Sequence, residues 1–408
     1  KGIIMEYKFS DKLAALKPSA IREIFKSLTN PEIIAFAAGN PAAESFPVKE
    51  MAEISAQIYA DSPVTALQYS QTEGYPPLRQ AVSARLLEKF GIGKSTERGD
   101  AYTDTTIIVS GGNQGLELAC KAFCNEGDAV ICEDPSFIGA LNAFRSNGAR
   151  TLGVPLCEDG IDTDALEELL KTEKRAKLLY LIPPFHNPMG ITTSLEKRKK
   201  IYELAKKYEI MILEDNPYGE LRFAGEEIPT IKSLDTEGLV IYCSSFSKVL
   251  SAGMRIGYLC APEAVMSKII VAKQVEDVHT NIFFQMLCYR YMTERDLDGH
   301  IENIRAIYRR KCALMMKGLE ENLPAELKFT RPEGGLFVWC VLPEKIDMNE
   351  FVKRALEHKV AVVPGTAFCP DADGKSNAVR FNYSTPSDEQ IERGCVILGE
   401  VAREMLAE

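Results

Sequence analysis

The sequence predicts an α/β fold in which helices cover a large, mostly parallel sheet, with a smaller α+β domain after it. Three observations support this prediction. From about residue 105 onward, short and almost wholly apolar segments alternate with amphipathic helical segments. Such segments are typical of strands that are buried on both faces, as in parallel sheets. After about residue 299 this alternation stops, and longer helical segments with isolated strands take its place.

The strands predicted for the large sheet are Thr106–Val109, Ala129–Cys132, Thr151–Leu156, Leu178–Ile182, Ile210–Leu213 and Leu239–Cys243. Helices are predicted between them, where apolar residues recur on one helical face. These helices are Gly115–Phe123, Ser136–Asn147, Asp164–Leu170 and Leu195–Tyr208. Since strands and helices alternate, most connections are expected to be crossovers between parallel strands.

The smaller C-terminal domain is predicted from five elements, which are Ile301–Leu323, Gly334–Trp339, Phe351–His358, Arg380–Tyr383 and Ser387–Leu406. The second and fourth of these are strands and the others are helices. The residues before about Pro47 are too few to fold alone. We therefore expect three parts: an arm at 1–47 that packs on the small domain, a large domain at 48–298 and a small domain at 299–408.

Composition disfavours several classes of function. The 408 residues include 48 basic and 58 acidic ones, for a formal net charge of −10. An acidic chain without a long basic block is a poor candidate for binding nucleic acid or an anionic membrane. The longest uncharged stretch, Leu178–Leu195, contains three prolines, whereas a membrane helix needs ~20 mostly apolar residues. We expect neither partner.

The cysteines and histidines argue against a metal protein and a secreted protein. The chain has 11 cysteines but no CxxC pair, and its 4 histidines include no HExxH motif. We therefore expect reduced thiols and no metal site. Residues 1–10 lack an apolar signal region, so the expected location is the cytoplasm.

Polar residues follow four of the predicted strands. They lie in the segments Ser110–Gly115, Pro183–Gly190, Glu214–Tyr218 and Ser244–Lys248, with Arg255 shortly after the last. Each segment alone has a common structural explanation, such as a glycine-rich connection, a helix cap or a solvated lysine. Ligands of open α/β sheets, however, bind beyond the carboxyl ends of the strands. All four segments are expected at that edge.

Together these segments match the requirements of one ligand. Glycines before a helix, two serines and Arg255 can bind a phosphate. Lys248 offers a nucleophilic amine and Asp215 a buried carboxylate, while Asn187 and Tyr218 offer neutral polar groups. A phosphorylated aldehyde on a pyridine ring would use all of them.

Four motifs then resemble one family. Ser245–Tyr258 is similar to the pyridoxal-phosphate lysine signature of class I/II aminotransferases, which have fold type I. Three further motifs match in family order: the Asn-Pro-x-Gly loop at His186–Gly190, the Asp-x-x-Tyr element at Asp215–Tyr218 and the late arginine motif at Arg380–Ser384. Ala37–Pro41, Leu67–Ser70 and Gly112–Gln114 most resemble the 2-aminoadipate/kynurenine aminotransferase group.

The resemblance implies a role for each matching residue. Lys248 would form the internal aldimine (a Schiff base) with pyridoxal 5'-phosphate (PLP), and it would act in catalysis with Asp215 and Tyr218. The cofactor-binding residues would be Gly112, Asn113, Gln114, Phe137, Asn187, Asp215, Tyr218, Ser245, Ser247, Lys248 and Arg255. The substrate-binding residues would be Arg380, Asn187, Gly39 and Tyr69. Tyr69 would come from the neighbouring subunit, which implies a homodimer with shared active sites.

The function implied is transfer of an amino group from an L-amino acid to a 2-oxo acid such as 2-oxoglutarate, by a ping-pong mechanism. A PLP-dependent carbon–sulfur lyase or decarboxylase on the same scaffold is one alternative. Another is a non-catalytic regulatory domain, which in such regulators follows a winged-helix region. Fewer than fifty residues precede the predicted large domain here. Acidic, aromatic and branched-chain amino acids all remain possible substrates.

Overall fold

Two β-sheets organise the residues that the computed structural model describes, which are 7–14, 16 and 30–408. In these residues, the larger sheet has eight strands in the order β1-β8-β7-β6-β5-β2-β3-β4. Its strands are β1 (Asp104–Val109), β2 (Ala129–Asp134), β3 (Arg150–Cys157), β4 (Gly160–Ile161), β5 (Ala176–Leu181), β6 (Met211–Asp215), β7 (Val240–Ser245) and β8 (Gly257–Pro262). The smaller sheet has the order β11-β12-β10-β9 and contains β9 (Lys328–Phe329), β10 (Phe337–Val341), β11 (Val363–Pro364) and β12 (Ala378–Asn382).

The larger sheet is mostly parallel, as predicted. Strands β3, β2, β5, β6 and β7 pair in parallel, one beside the next. Strand β8 pairs antiparallel with both β7 and β1. Two reversals restore the direction, so β1 again runs parallel to β7. No strand was predicted at β8, because this apolar segment follows the Lys248 signature directly.

The helices of nine or more residues in the described part of the chain are α1 (Val48–Asp61), α2 (Pro76–Phe90), α3 (Gly112–Phe123), α4 (Ile138–Ser146), α5 (Thr163–Thr172), α6 (Leu195–Tyr208), α7 (Glu263–Asp277), α8 (Ile282–Glu294), α9 (Leu297–Asn322), α10 (Met348–Glu357) and α11 (Asp388–Ala407). Side-chain caps mark several starts. Asp162 accepts two backbone N–H groups at the start of α5, and Ser387 forms a capping box with Gln390 at the start of α11.

Four helices begin earlier than predicted, namely α3, α5, α9 and α10. Helix α3 begins at Gly112 rather than Gly115, because Gly111, at a φ of 81°, makes the turn between β1 and the helix. Helix α9 begins at Leu297 rather than Ile301, with Asp296 as its cap. The predicted domain boundary after residue 298 therefore lies inside α9. The division into three parts stays a prediction.

Helices cover the larger sheet on both faces, and strand β5 shows how its side chains alternate between them. Leu178 and Tyr180 belong to the core cluster that contains Leu116 of α3. Leu179 and Leu181 belong to the other cluster, whose helical members come mainly from α5 and α6. Every side chain of this strand from Leu178 onward is thus buried, which explains its unbroken apolar sequence.

The described part of the predicted arm contacts the smaller sheet. Ile34 forms a parallel bridge with Val360, and the carbonyl of Phe36 accepts the N–H of Asn382 at 2.8 Å. The Phe36 ring also lies 6.1 Å from that of Phe381, centroid to centroid. The arm's other predicted residues, 1–6, 15 and 17–29, lie outside the described residues.

Candidate active site

A cavity of about 450 Å³ lies at the carboxyl edge of the larger sheet and reaches the smaller sheet. Residues that follow β1, β5, β6 and β7 meet there, as the four polar segments predicted. All of the predicted site residues line this cavity except Gln114 and Tyr69; those that do are Gly39, Gly112, Asn113, Phe137, Asn187, Asp215, Tyr218, Ser245, Ser247, Lys248, Arg255 and Arg380.

Lys248 lies in a short π-helical turn, Ser247–Ser251, directly after β7. Its Nζ donates to the carbonyl oxygen of Gly39 at 2.7 Å. Burial lowers the pKa of Lys248 to about 8, and the positive charges of Arg380 and Arg255 act in the same direction. About one-tenth of this amine is therefore neutral at pH 7, which is enough for it to act as a nucleophile or base.

Asp215 is the last residue of β6 and lies in the floor of the cavity, 5% exposed. Its Oδ2 accepts a hydrogen bond from the hydroxyl of Tyr180 at 2.8 Å. Burial raises the pKa of Asp215 to about 7; the Tyr180 hydrogen bond opposes this rise, and the charge of Glu133 adds to it. About half of this group is ionised at pH 7, and a positive group in the cavity would favour the ionised form.

Arg380, on β12, brings the smaller sheet into the cavity. Its Nη1 donates to Oδ1 of Asn187 at 2.9 Å, and its Nη2 donates to the carbonyl oxygens of Ala37 and Ala38 at 3.0 and 3.2 Å. Its buried Nε has no hydrogen-bond partner among the described residues. Burial lowers the pKa of Arg380 to about 10. A guanidinium with a free N–H and no carboxylate partner suits an anionic ligand.

Aromatic rings fix the orientation of Arg380. The central guanidinium carbon lies 4.2 Å from the ring centroid of Phe337 and 5.1 Å from that of Phe368. Asn187, which holds Nη1, also donates through Nδ2 to the hydroxyl of Tyr218 at 3.3 Å. The large and small sheets therefore position this arginine together.

The start of α3 forms an anion cradle. The first N–H groups of a helix have no partner within the helix, and the helix dipole favours negative charge there. Gly111 has a φ of 81°, which favours glycine, and a Cβ there would meet the guanidinium of Arg255. Ser245 and Ser247 line the same part of the cavity, and the Ser247 N–H donates to Oγ of Ser245 at 3.3 Å.

Gln114 lies beside the cradle but does not line the cavity. Its side-chain oxygen accepts the Ser110 N–H at 2.7 Å and Nζ of Lys273 at 3.1 Å, while its Nε2 donates to Asp277 at 2.7 Å. Its backbone N–H donates to the carbonyl of Gly111. The structure thus places this predicted cofactor contact in a polar cluster below the cradle.

Tyr69 is 81% exposed and lies outside the cavity of its own chain. Its ring meets that of His279 edge-on, with 5.9 Å between the centroids. The role implied for Tyr69, in the site of a neighbouring subunit, stays a prediction.

Several side chains around the site were not predicted from the sequence. Tyr180 and Phe337 were predicted only as strand residues, and no local motif distinguishes them. Glu133 lies 3.1 Å from the His186 ring, oxygen to Nε2, with both side chains 1% exposed. It also accepts the backbone N–H of Ile182 at 2.9 Å. The ring of His186 therefore lies against the end of β2.

The donor set of the cavity fits a phosphorylated pyridine aldehyde. The helix N-terminus with Arg255 suits a phosphate, the amine of Lys248 suits an aldehyde, and the carboxylate of Asp215 suits a protonated ring nitrogen. In the described ranges, no three His, Cys, Asp or Glu side chains are grouped so that they could hold a metal ion.

Comparisons with known proteins identify the family of the chain. Residues 31–398 match the family described as aminotransferase class I and II. The chain is 40% identical over 403 residues to aromatic-amino-acid aminotransferase 1 of Thermococcus litoralis, covering 98% of this chain and 95% of that protein. It is 39% identical over 402 residues to the 2-aminoadipate transaminase of Thermus thermophilus, covering 98% and 97%.

A solved structure is similar over the same length. The α-aminoadipate aminotransferase of Thermus thermophilus, complexed with N-(5'-phosphopyridoxyl)-L-leucine, has a TM-score of 0.88 and 39% identity, with 98% of both chains covered. The similarity in fold therefore extends over nearly the whole chain.

Proposed function

The chain belongs to the class I and II aminotransferases, and from this premise we propose how its cavity transfers an amino group from an L-amino acid to a 2-oxo acid. The predicted resemblance, the fold class and the PLP-dependent aminotransferase activity are confirmed by this membership. One observation carries the residue assignment: Lys248, Asp215 and Arg380, from three distant parts of the chain, line one cavity.

Pyridoxal 5'-phosphate, when bound, withdraws electrons from the substrate's Cα and carries the amino group between the two substrates. We assign its phosphate to the N-terminus of α3 at Gly112 and Asn113, with Ser245, Ser247 and Arg255 around it. Asp215 would face the ring nitrogen, Asn187 and Tyr218 the ring hydroxyl, and Phe137 one face of the ring. These side chains all line the cavity.

Lys248 is the proposed proton carrier. Its pKa of about 8 means that the amine can take a proton from the substrate's Cα and return one near neutral pH. No carboxylate contacts this amine among the described residues; its hydrogen bond is to the carbonyl of Gly39. The amine is therefore free to exchange its proton with a ligand.

Arg380 is the proposed carboxylate anchor. A planar guanidinium can bind a carboxylate at two points and so fix which Cα bond faces the catalytic amine. Asn187 and the rings of Phe337 and Phe368 already hold the group in place. Gly39 lines the same cavity.

We further propose a homodimer. Six exposed apolar side chains support it: Val64, Leu67 and Tyr69 near α1, and Val271, Val275 and Val278 on or just after α7. Val275 is 86% exposed, which is costly for a valine unless another surface covers it. In this proposal Tyr69 enters the neighbouring active site.

A cytoplasmic location is also proposed. All 11 cysteines lie in the described residues, and they are free thiols there, which agrees with a reducing compartment. None of the helices in the described residues has the length and apolarity to cross a membrane.

The test is a panel of amino donors given to the purified PLP-loaded protein with 2-oxoglutarate. The names of the relatives make aromatic amino acids and 2-aminoadipate the first donors to try. We expect glutamate and the matching 2-oxo acid in equal amounts. Ammonia and pyruvate formed without any acceptor would instead identify a lyase and overturn the proposal.

A further inference from the structure

The side chain of Tyr180 has a contact that the proposed function does not yet use. Its hydroxyl lies 2.8 Å from Oδ2 of Asp215. Tyr180 is fully buried on β5, and its ring packs edge-on against Phe144 at 5.3 Å between centroids. The hydroxyl therefore has a fixed position relative to the carboxylate.

Only the sheet brings these two residues together. Strands β5 and β6 pair in parallel, with Tyr180 opposite Leu213. Side chains two residues apart along a strand point to the same face, so Tyr180 and Asp215 project from one face of neighbouring strands. The hydroxyl can only donate to an ionised carboxylate, since such a group has no proton to give.

We propose that Tyr180 is a positioning residue, which orients the carboxylate of Asp215 toward the cavity and favours its ionised form. By occupying Oδ2, it leaves Oδ1 to receive an N–H group of a ligand. The consequence for the cofactor rests on the proposed function, because it assumes that Asp215 faces the ring nitrogen of PLP. The hydrogen bond itself does not depend on that assumption.

The charges around Asp215 make this hydrogen bond matter. Burial and the nearby charge of Glu133 both raise the pKa of Asp215, and the hydroxyl of Tyr180 opposes them. The other titratable neighbours, Cys243 on β7 and Tyr218 after β6, have pKa values raised by burial and by Asp215 itself. Both groups stay neutral near pH 7. Among these neighbours, Tyr180 is therefore the group that stabilises the ionised carboxylate of Asp215.

The test begins with Tyr180→Phe in the full chain stripped of PLP. This change removes one oxygen and keeps the ring against Phe144. The pKa of Asp215 is read from a ¹³C-carboxylate NMR titration, with the signal assigned through Asp215→Asn. We expect an increase of about one pH unit, since a hydrogen bond to a charged group is lost.

Tyr242→Phe is the matched control. Tyr242 is also buried, on β7, but its hydroxyl interacts with Ser244. The Tyr242→Phe substitution should leave the pKa of Asp215 unchanged. If Tyr180→Phe does not fold, 3-fluorotyrosine at position 180 keeps the ring and gives a stronger donor, which should lower the pKa of Asp215. An unchanged titration in the folded Tyr180 variant would overturn the proposal.

A second readout concerns the cofactor. The dissociation constant of PLP, measured by fluorescence, should rise about fivefold in Tyr180→Phe at pH 7, because a pKa increase of about one unit from about 7 lowers the ionised fraction of Asp215 from about one-half to about one-tenth. Failure of the wild-type chain to bind PLP would contradict the proposed function and leave the NMR result intact. If the pKa of Asp215 shifts in Tyr180→Phe while the affinity for PLP stays unchanged, Tyr180 does not orient Asp215 toward the cofactor.

Discussion

The side-chain amines of Lys248 and Lys232 are both shielded from solvent, but their electrostatic surroundings are opposite. Lys232 is 1% exposed, and its Nζ donates to Asp104 at 2.8 Å and to Asp235 at 3.1 Å. Burial lowers its pKa, but the charges of these carboxylates outweigh burial and raise the pKa above the ordinary value. Lys248 has a backbone carbonyl and two arginines as neighbours, and its pKa falls to about 8.

The comparison shows that burial alone does not make a reactive amine. A buried lysine with carboxylate partners stays charged and serves the fold. A buried lysine without them becomes partly neutral at physiological pH and can serve in chemistry. The difference lies in the partners, so substitutions at the two positions should have different consequences.

The largest expected effect is on turnover. Lys248→Ala removes the amine that moves the Cα proton and should lower kcat by at least about 10⁴-fold, as for other essential nucleophiles and bases. Lys232→Met, assayed where it is still folded, should retain transamination within a few-fold. Steady-state formation of glutamate measures both. Wild-type turnover in Lys248→Ala would refute the assignment of this lysine.

The next effect is on stability. Lys232→Met should lower the free energy of unfolding by about 3–5 kcal/mol, because Asp104 and Asp235 would stay buried without their cation. Urea unfolding at pH 7 measures it. Lys199→Met is the control: Lys199 is 55% exposed and lies 3.8 Å from Glu196, so its change should be below about 0.5 kcal/mol. Equal effects at the two positions would contradict a structural ion pair at Lys232.

Replacing Lys248 by methionine should instead raise the free energy of unfolding. Its pKa is lower in the folded protein than in the unfolded chain, so holding the proton costs stability below pH 8. Lys248→Met should therefore stabilise the PLP-free protein by about 1–2 kcal/mol at pH 7. The gain over wild type should shrink as the pH rises from 8 toward 10.5. A loss of stability at pH 7 would mean that the hydrogen bond to Gly39 outweighs the charge.

The smallest expected effect is on the pH dependence of the reaction between Lys248 and PLP. Because only the neutral amine attacks an aldehyde, the rate at which Lys248 captures PLP should rise about tenfold from pH 7 and level off above about 8. Stopped-flow absorbance of the PLP-free protein mixed with PLP measures this rate. A rate that still increases in proportion to hydroxide up to pH 10 would indicate an ordinary lysine.

Much of the site was predictable because its motifs are local. Asp215 and Tyr218 are three residues apart, and Ser245, Ser247 and Lys248 occupy one turn. Short apolar strands followed by polar residues also predicted the carboxyl edge of a sheet. Strand β8 and helix α7 escaped prediction. Exposed apolar residues such as Val271 and Val275 obscure the pattern of one buried face on which the prediction of a helix depends.

Residue types and short spacings therefore sufficed to predict the fold class and most of the residues that line the cavity, since neighbours in sequence stay neighbours in space. The partners that lie far away in sequence were decided by the tertiary structure. Asp104 is 128 residues from Lys232, Asn187 is 193 from Arg380, and Tyr180 is 35 from Asp215. Electrostatic interactions in a low-dielectric interior depend on such distances, so the reactivity of each group was a property of the folded chain.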